Sequence, residues 1–520
     1  MTNSPDIEPS PPPRQWLLPS VSVVLWLIFF LALNLSTARV TMIASDSDAC
    51  WHWQEGNWML QHHAVLRTEL FSHTRTGAPL VDLWWLSEVV TALAGNLLGW
   101  GGVVLVASIV CATVAWLLHR QLLAEGDELL LSTLLTLLAA TVCATHWLPR
   151  PHLATQFLVL VFAWQLRWFE RGRTTARQLL VLLPLLTVLW ANLHGAFVVA
   201  FVLIGTHWAG TVVNWVRASA DQRPAARRRV TVLTSLGVAC FLASLVNPNG
   251  WHLPVQIFRY MKSPLMMEFA QEYLPPNFHD PATAPFVVLL AVVLLLLLIA
   301  RPRVNVTDGL LVAVWLVLSL RMVRNGPLFA IVVTPILAEQ WNAYLRTAAP
   351  SRILRRYRDI SARLTSVDRM AGARGLPALA VIAMIAVLAK PQLFGGPPVL
   401  ATELPASRFP VGAVAFLRQS PGAVHGNMFN EYAWGGYFTL AMPERKVFLH
   451  PNLDVYGEEI VRDFLRVNNG EPGWEDILGK YHVDWTILPR EHRLNRLLAQ
   501  RVDWRLVYTD PVAIIYGRIP

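Results

Sequence analysis

The chain is short of the features from which soluble enzymes are usually built. Only 15% of its 520 residues are charged. Its four cysteines, Cys50, Cys111, Cys143 and Cys240, are scattered and mostly inside apolar runs, which excludes a disulfide framework and a CxxC metal site. No glycine-rich nucleotide-binding loop occurs. The His62-His63 pair lacks an HExxH context and reads as surface, not as a zinc site. The Pro- and Ser-rich stretch Met1 to Arg14 reads as a disordered tail. It has no basic region leading to a small-residue cleavage site, so Trp16 to Leu35 reads as a retained anchor. The net charge of +9 does not point to nucleic acid, because many Lys and Arg sit in short loops between apolar runs.

What the chain does have is hydrocarbon-compatible length. It is 54% hydrophobic, with 22 Trp. After the first segment, apolar runs lie near 100–118, 129–147, 153–168, 178–193, 195–216, 230–246, 285–300, 307–320, 327–345 and 376–390. That makes about eleven spans. The expected fold class is a mostly α, polytopic membrane helix bundle over 16–392. A linker follows at 393–409, then a small α/β domain over 410–520. Basic connections at Arg167 to Arg177, Arg217 to Arg229, Arg301-Pro302-Arg303 and Arg346 to Arg374 fall on one side of this span order. They read as topology determinants facing the cytoplasm and anionic lipid. With the N-terminus inside, residues 39–88 and the C-terminal domain face outward.

The outward stretch Ala44 to Glu88 concentrates polar groups at a membrane edge, where ionisable groups are costly and need a reason. Asp46 and Asp48 stand two apart. Two carboxylates so close can hold a divalent cation, Mg or Mn, or one can act as general base toward a hydroxyl. Asp48 equally suits capping a helix beginning near Ala49, whereas Asp46 lies nearer the hydrocarbon edge. His52 falls one turn from Asp48 and can share its face. Glu55 and Glu88 are further polar candidates. Leu83 to Leu98 reads as lying along the outer interface, with Trp84 and Trp85 at headgroup depth.

The other outer turns carry Arg150 and His152, Asn192 and His194, Asn247, and Arg321 with Arg324. Three arginines on the side that topology disfavours call for an anionic partner. A lipid phosphate would serve, and so would acids of the first loop. The long loop from Asn247 to Ala284 suits a lid or an interfacial helix.

In the C-terminal region, strands are expected at Gly426–Phe429, Val447–Leu449, Asp484–Leu488, Trp504–Tyr508 and Val512–Tyr516, the last two joined by a hairpin at Thr509-Asp510-Pro511. Helical patterns lie at Glu431–Leu440, Tyr456–Val467, Trp474–Tyr481 and Leu494–Gln500. Asn430, Glu431 and the aromatic Trp434-Gly435-Gly436-Tyr437 suit either sugar binding or aromatic core.

Asp46, Asp48, Trp51 and His52 in DxDxxWH form, followed by Gly56, Phe71-Ser72, Thr74, Gly77 and Trp85-Leu86, resemble the first outer loop of bacterial GT-C superfamily membrane glycosyltransferases. Arg150-Pro151-His152, Trp190 to Gly195, Val246 to Gly250, Arg324 to Phe329, Phe429 to Tyr432 and Asp454 to Gly457 are similar to motifs of one bacterial branch. The resemblance implies sugar transfer from a polyprenyl-phosphate-linked donor to a glycan, lipid or protein acceptor, on the periplasmic face of the inner membrane. It maps the acid onto Asp46 or Asp48, and no nucleotide sugar is required. Where the branch has Asp-Gly-Arg, this chain has His450-Pro451-Asn452, so the resemblance assigns no catalytic role to that corner. A flippase for a lipid-linked saccharide and a non-catalytic scaffold are the alternatives. Against the flippase, polar groups gather at one surface and no internal repeat stands out.

Overall fold

The computed structural model describes residues 15–35, 47–126, 128–269, 271–300, 304–349, 351–390 and 404–519. The expected tail, Asp46 and most of the expected linker lie outside them.

Apolar runs fold as helices because a chain surrounded by hydrocarbon must satisfy its backbone groups internally. Helices cover the places where spans are expected. They are Val21–Leu35, Trp85–Gly126, Leu129–Ala144, His152–Glu170, Ala176–Leu193, Val199–Arg217, Arg223–Ser244, Ala284–Ala300, Val306–Arg321, Gly326–Thr347 and Leu376–Ala389. Five helical stretches among the described residues are long and apolar enough to cross a membrane unaided. The rest are shorter or more polar, and their apolar sides pack on neighbours. Trp190, Trp315, Phe162 and Phe329 lie fully buried in the shared core.

The basic connection beginning at Arg167, expected as a topology determinant, also has a structural part. Arg167 is buried and bonds Glu125 at 3.1 Å, Asp308 at 2.5 Å and Glu339, tying four helical segments at one end of the bundle. His152 stands at the opposite end of the same helix.

The helix Trp85–Gly126 breaks at Leu98–Gly99, where Gly99 takes φ +60°. Its first arm lies against the helix Asp48–His62, with Trp53 Nε1 donating to Asn96 Oδ1 at 3.0 Å. Asn96, expected to interrupt an interfacial segment, is therefore bonded to the first loop.

The C-terminal region forms a four-stranded sheet of β1 (Asn427–Asn430), β2 (Val483–Pro489), β3 (Trp504–Thr509) and β4 (Ala513–Arg518), in the order β1-β2-β4-β3. β1 and β2 are parallel and joined through helices, while β3 and β4 form the expected hairpin. Asp510 closes it, its Oδ1 accepting from the amides of Val512 and Ala513.

One expected strand is absent. Val447–Leu449 joins no sheet strand, because its backbone partners come from the first loop. Val447 N–H donates to Phe71 O at 2.9 Å, and His73 N–H donates to Val447 O at 3.0 Å. The two regions also share one apolar core, in which Met59, Leu66, Phe71 and Leu80 pack with Phe429, Phe448 and Phe464.

Candidate active site

Ser47 occupies the N-cap position and Asp48 opens the helix, one residue earlier than expected, with its carboxyl in the first turn. Close approach fixes this start. A Cβ at Gly436 would stand 2.4 Å from the Ser47 carbonyl oxygen, and one at Gly435 2.3 Å from that of Leu449. The Trp434-Gly435-Gly436-Tyr437 motif thus lets the helix Tyr432–Ala441 reach the first loop. Its aromatic rings Trp434 and Tyr437 are core.

Asp48 lines a cavity of about 1070 Å³ enclosed by the bundle, the 252–273 loop and the C-terminal domain. Its lower wall is apolar, built by Val198, Val202, Trp315 and Leu318 from spanning helices. Its upper wall is polar and carries alternating charges. Arg150 lies 3.0 Å from Asp48 and 3.9 Å from Glu272, and Arg324 lies 3.0 Å from Glu272. The Arg324 guanidinium also stands over the Tyr273 ring at 4.5 Å, a favourable cation–π placement. Arg324, with help from Arg150, holds the Glu272 carboxyl down to about 2 despite its burial.

His52, on the same face as Asp48, lines the cavity. Burial, with Arg150 nearby, holds its imidazole well below its usual range. It is therefore neutral, and its Nδ1 is placed to donate to Glu88 Oε1 at 2.9 Å. His152 and His194 also line the cavity. His152 is anchored on the His146 carbonyl at 2.6 Å, and His194 on Thr155 Oγ1 at 2.7 Å. On the far wall, Glu431 caps the helix Tyr432–Ala441 through the Ala433 amide, and burial raises its carboxyl. Asp454 was not expected here. It lines the same wall, and burial lifts its carboxyl to about 7. The loop residues Tyr260, Met267, Phe269 and Tyr273 complete the enclosure. They belong to the long loop that the sequence offered as a lid or an interfacial helix, and here they line the cavity.

Other expected site residues go elsewhere. Arg321 is exposed and does not line the cavity. Asn192 is a brace that accepts from Trp85 Nε1 at 2.7 Å and donates to Val246 O at 2.8 Å. Asn247 closes its own turn on Ser244 O. Asn430 is fully buried and ties β1 to Phe448 and Leu449. His62 and His63 are exposed.

Glu55 and Glu88 are buried behind the wall made by Trp51, His52 and Trp84. Two groups of described residues could hold a metal ion: Glu55 with Asp82 and Glu88, and Glu55 with Glu69 and His450. Asp48 belongs to neither. Burial pushes Glu55 well above its usual range and Asp82 up to about 6. Against the cost of burial, the facing His450 holds Glu69 below the usual carboxylate range. His450 Nε2 lies 3.4 Å from Glu69 Oε2, which gives the departure at His450-Pro451-Asn452 a structural role.

No protein-family model matches the chain, and no curated protein matches it. Solved structures do. The apo oligosaccharyltransferase of Archaeoglobus fulgidus aligns with TM-score 0.55 at 13% identity, covering 90% of this chain and 69% of that one. The Archaeoglobus fulgidus oligosaccharyltransferase AglB, in complex with an inhibitory peptide and a dolichol-phosphate, aligns with TM-score 0.54 at 10% identity over the same shares. Apo ArnT from Cupriavidus metallidurans aligns with TM-score 0.51 at 12% identity, covering 95% of this chain and 98% of that one. The overall fold is thus GT-C-like, as the first-loop resemblance implied.

Proposed function

We propose that this membrane protein is a glycosyltransferase that moves a sugar from a polyprenyl-phosphate-linked donor to an envelope acceptor on the periplasmic face. The observation that carries this reading is the cavity itself. It puts a fixed carboxylate, two guanidinium groups and an apolar wall from spanning helices in one enclosure. A lipid-linked donor has the same parts in the same order: an apolar chain, a phosphate and a sugar. The dolichol-phosphate bound by the similarly folded AglB supports that match.

In this reading the lipid chain lies along Val198, Val202, Trp315 and Leu318, and the phosphate meets Arg324 and Arg150. Asp48 takes the proton from the acceptor hydroxyl, and the freed oxygen bonds to the anomeric carbon. The bond from that carbon to the donor phosphate oxygen breaks with inversion. The negative charge left on the phosphate is stabilised by both guanidinium groups in a site of restricted water access. Arg150 serves twice, since its contact with Asp48 also orients the base. Glu272 keeps Arg324 in place until the phosphate arrives. His52 is neutral and suits hydrogen bonding to sugar or acceptor hydroxyls, as do His152, His194 and Glu431.

The test is transfer in nanodiscs from a panel of radiolabelled polyprenyl-phosphate sugars into envelope extract. Asp48→Asn should lower the rate by roughly 10²–10⁴, the usual contribution of a general base, with the melting temperature kept. Full activity in that variant would remove Asp48 as the base. Absence of transfer from every donor, with proteoliposomes instead moving lipid-linked saccharide across the bilayer, would replace the transferase reading with transport.

A further inference from the structure

Behind the cavity wall, three carboxyl groups from three chain segments converge on one point. Glu55 comes from the middle of the helix Asp48–His62, Asp82 from the extended approach to the next helix, and Glu88 from that helix's first turn. All three are at most 2% exposed. Ligand-capable oxygens of the three lie within 4.8 Å of one another.

What each oxygen already does is decisive. Glu88 Oε1 is hydrogen-bonded with His52 Nδ1 at 2.9 Å, and Asp82 Oδ1 accepts from the Trp84 amide at 2.7 Å. Glu88 Oε2, Asp82 Oδ2 and both oxygens of Glu55 make no well-formed hydrogen bond, and the three carboxyl groups face one another. Asn452 stands beside Glu55 with its amide N–H toward that carboxyl. Removing carboxylates from water without a counter-charge costs several kcal/mol each. The Glu69–His450 pair next door has solved this problem, since Glu69 Oε1 also accepts from the amides of Phe71 and Ser72. The other triad has not, and its free donors are all oxygen.

We propose that Glu55, Asp82 and Glu88 bind one hard, oxygen-preferring divalent cation. Such ions take carboxylate and carbonyl oxygens at about 2.3–2.6 Å for calcium and about 2.0–2.1 Å for magnesium. Oxygens on opposite sides of a calcium ion would thus be roughly 5 Å apart at most, which fits the observed spread. The ion would staple the first loop to the start of the next helix. It would also fix Glu88, and through it the His52 ring that lines the cavity. The site is separate from Asp48 and does not depend on the transferase reading.

The test reads metal and stability, not transfer. Wild type purified in detergent is stripped with EDTA, desalted, and titrated separately with calcium, magnesium and manganese. Elemental analysis should then find about one equivalent retained, and the melting temperature should rise with the preferred ion. Glu55→Gln combined with Glu88→Gln should abolish both effects, whereas Asp48→Asn should keep them. Wild type that retains none of the three ions and melts identically with and without them overturns the proposal, whatever the variants do. So does retention that survives the double substitution but is lost in Asp48→Asn.

Discussion

Asp48 and Glu272 compete for Arg150, at 3.0 and 3.9 Å, and Arg324 settles the competition by engaging Glu272 from the other side. Glu272 therefore has a folded-state pKa of about 2, below the roughly 4.3 of an unfolded glutamate. The stability it contributes is present above the unfolded value and is lost as pH falls toward 2. Wild type should melt above Glu272→Gln at pH 6 to 8, and the gap should narrow below about pH 4 and close near pH 2. A constant gap in a thermal scan across pH would show that Glu272 acts sterically. Asp454 has the opposite sign. With its folded pKa raised to about 7, its stability contribution is full below about 3.9 and is lost as pH rises through 7. Asp454→Asn should therefore raise the melting temperature at pH 8 and leave it unchanged at pH 3.5. The same charge faces the cavity, so lipid phosphate should bind wild type more tightly at pH 6 than at pH 8. Asp454→Asn should flatten that difference in a fluorescence titration.

Helix crossings decide where those side chains stand. A Cβ at Gly56 would lie 2.1 Å from the Glu88 carbonyl oxygen and 2.8 Å from the Ala92 side chain. The helix Asp48–His62 and the first arm of Trp85–Gly126 therefore touch backbone to backbone. Gly→Ala in an open helix would stabilise by about 1 kcal/mol, but here overpacking against main chain costs about 1–3 kcal/mol. Gly56→Ala should therefore lower the melting temperature and loosen the Glu55–Asp82–Glu88 cluster. An unchanged or higher melting temperature would refute the close crossing. Gly436 plays the corresponding part where the C-terminal domain meets Ser47.

At the scale of the whole molecule, the first loop and the C-terminal domain behave as one body. They share an apolar core and the backbone ladder between Phe71–His73 and Val447. Val447→Pro would remove the donor to Phe71 O, leaving a buried carbonyl unpaired at a cost of about 1–3 kcal/mol. Amide hydrogen exchange over residues 69–76 should speed up in that variant, while the bundle helices stay protected. Unchanged exchange in that segment would mean that the loop holds its shape without the domain.

The helical bundle was legible in the sequence because hydrocarbon leaves the backbone few alternatives, and residues of one apolar run are neighbours in the chain. The sheet domain was legible for a similar reason, since alternation and the Asp510 turn are local. Asp48 and His52 could be placed on one face from their spacing alone, and Arg150 and Arg324 stood out as charges on the disfavoured side. The tertiary structure alone decided what those groups meet. Val447–Leu449 has strand composition, yet its partners lie some 370 residues away in the first loop. Arg321 and Arg324 are near-identical in sequence context, but only Arg324 turns into the cavity. Glu272 and Asp454 gain their charge states from neighbours that no local pattern connects. The carboxyl cluster at Glu55, Asp82 and Glu88 likewise exists only where three segments cross, because burial and electrostatics depend on distance in space.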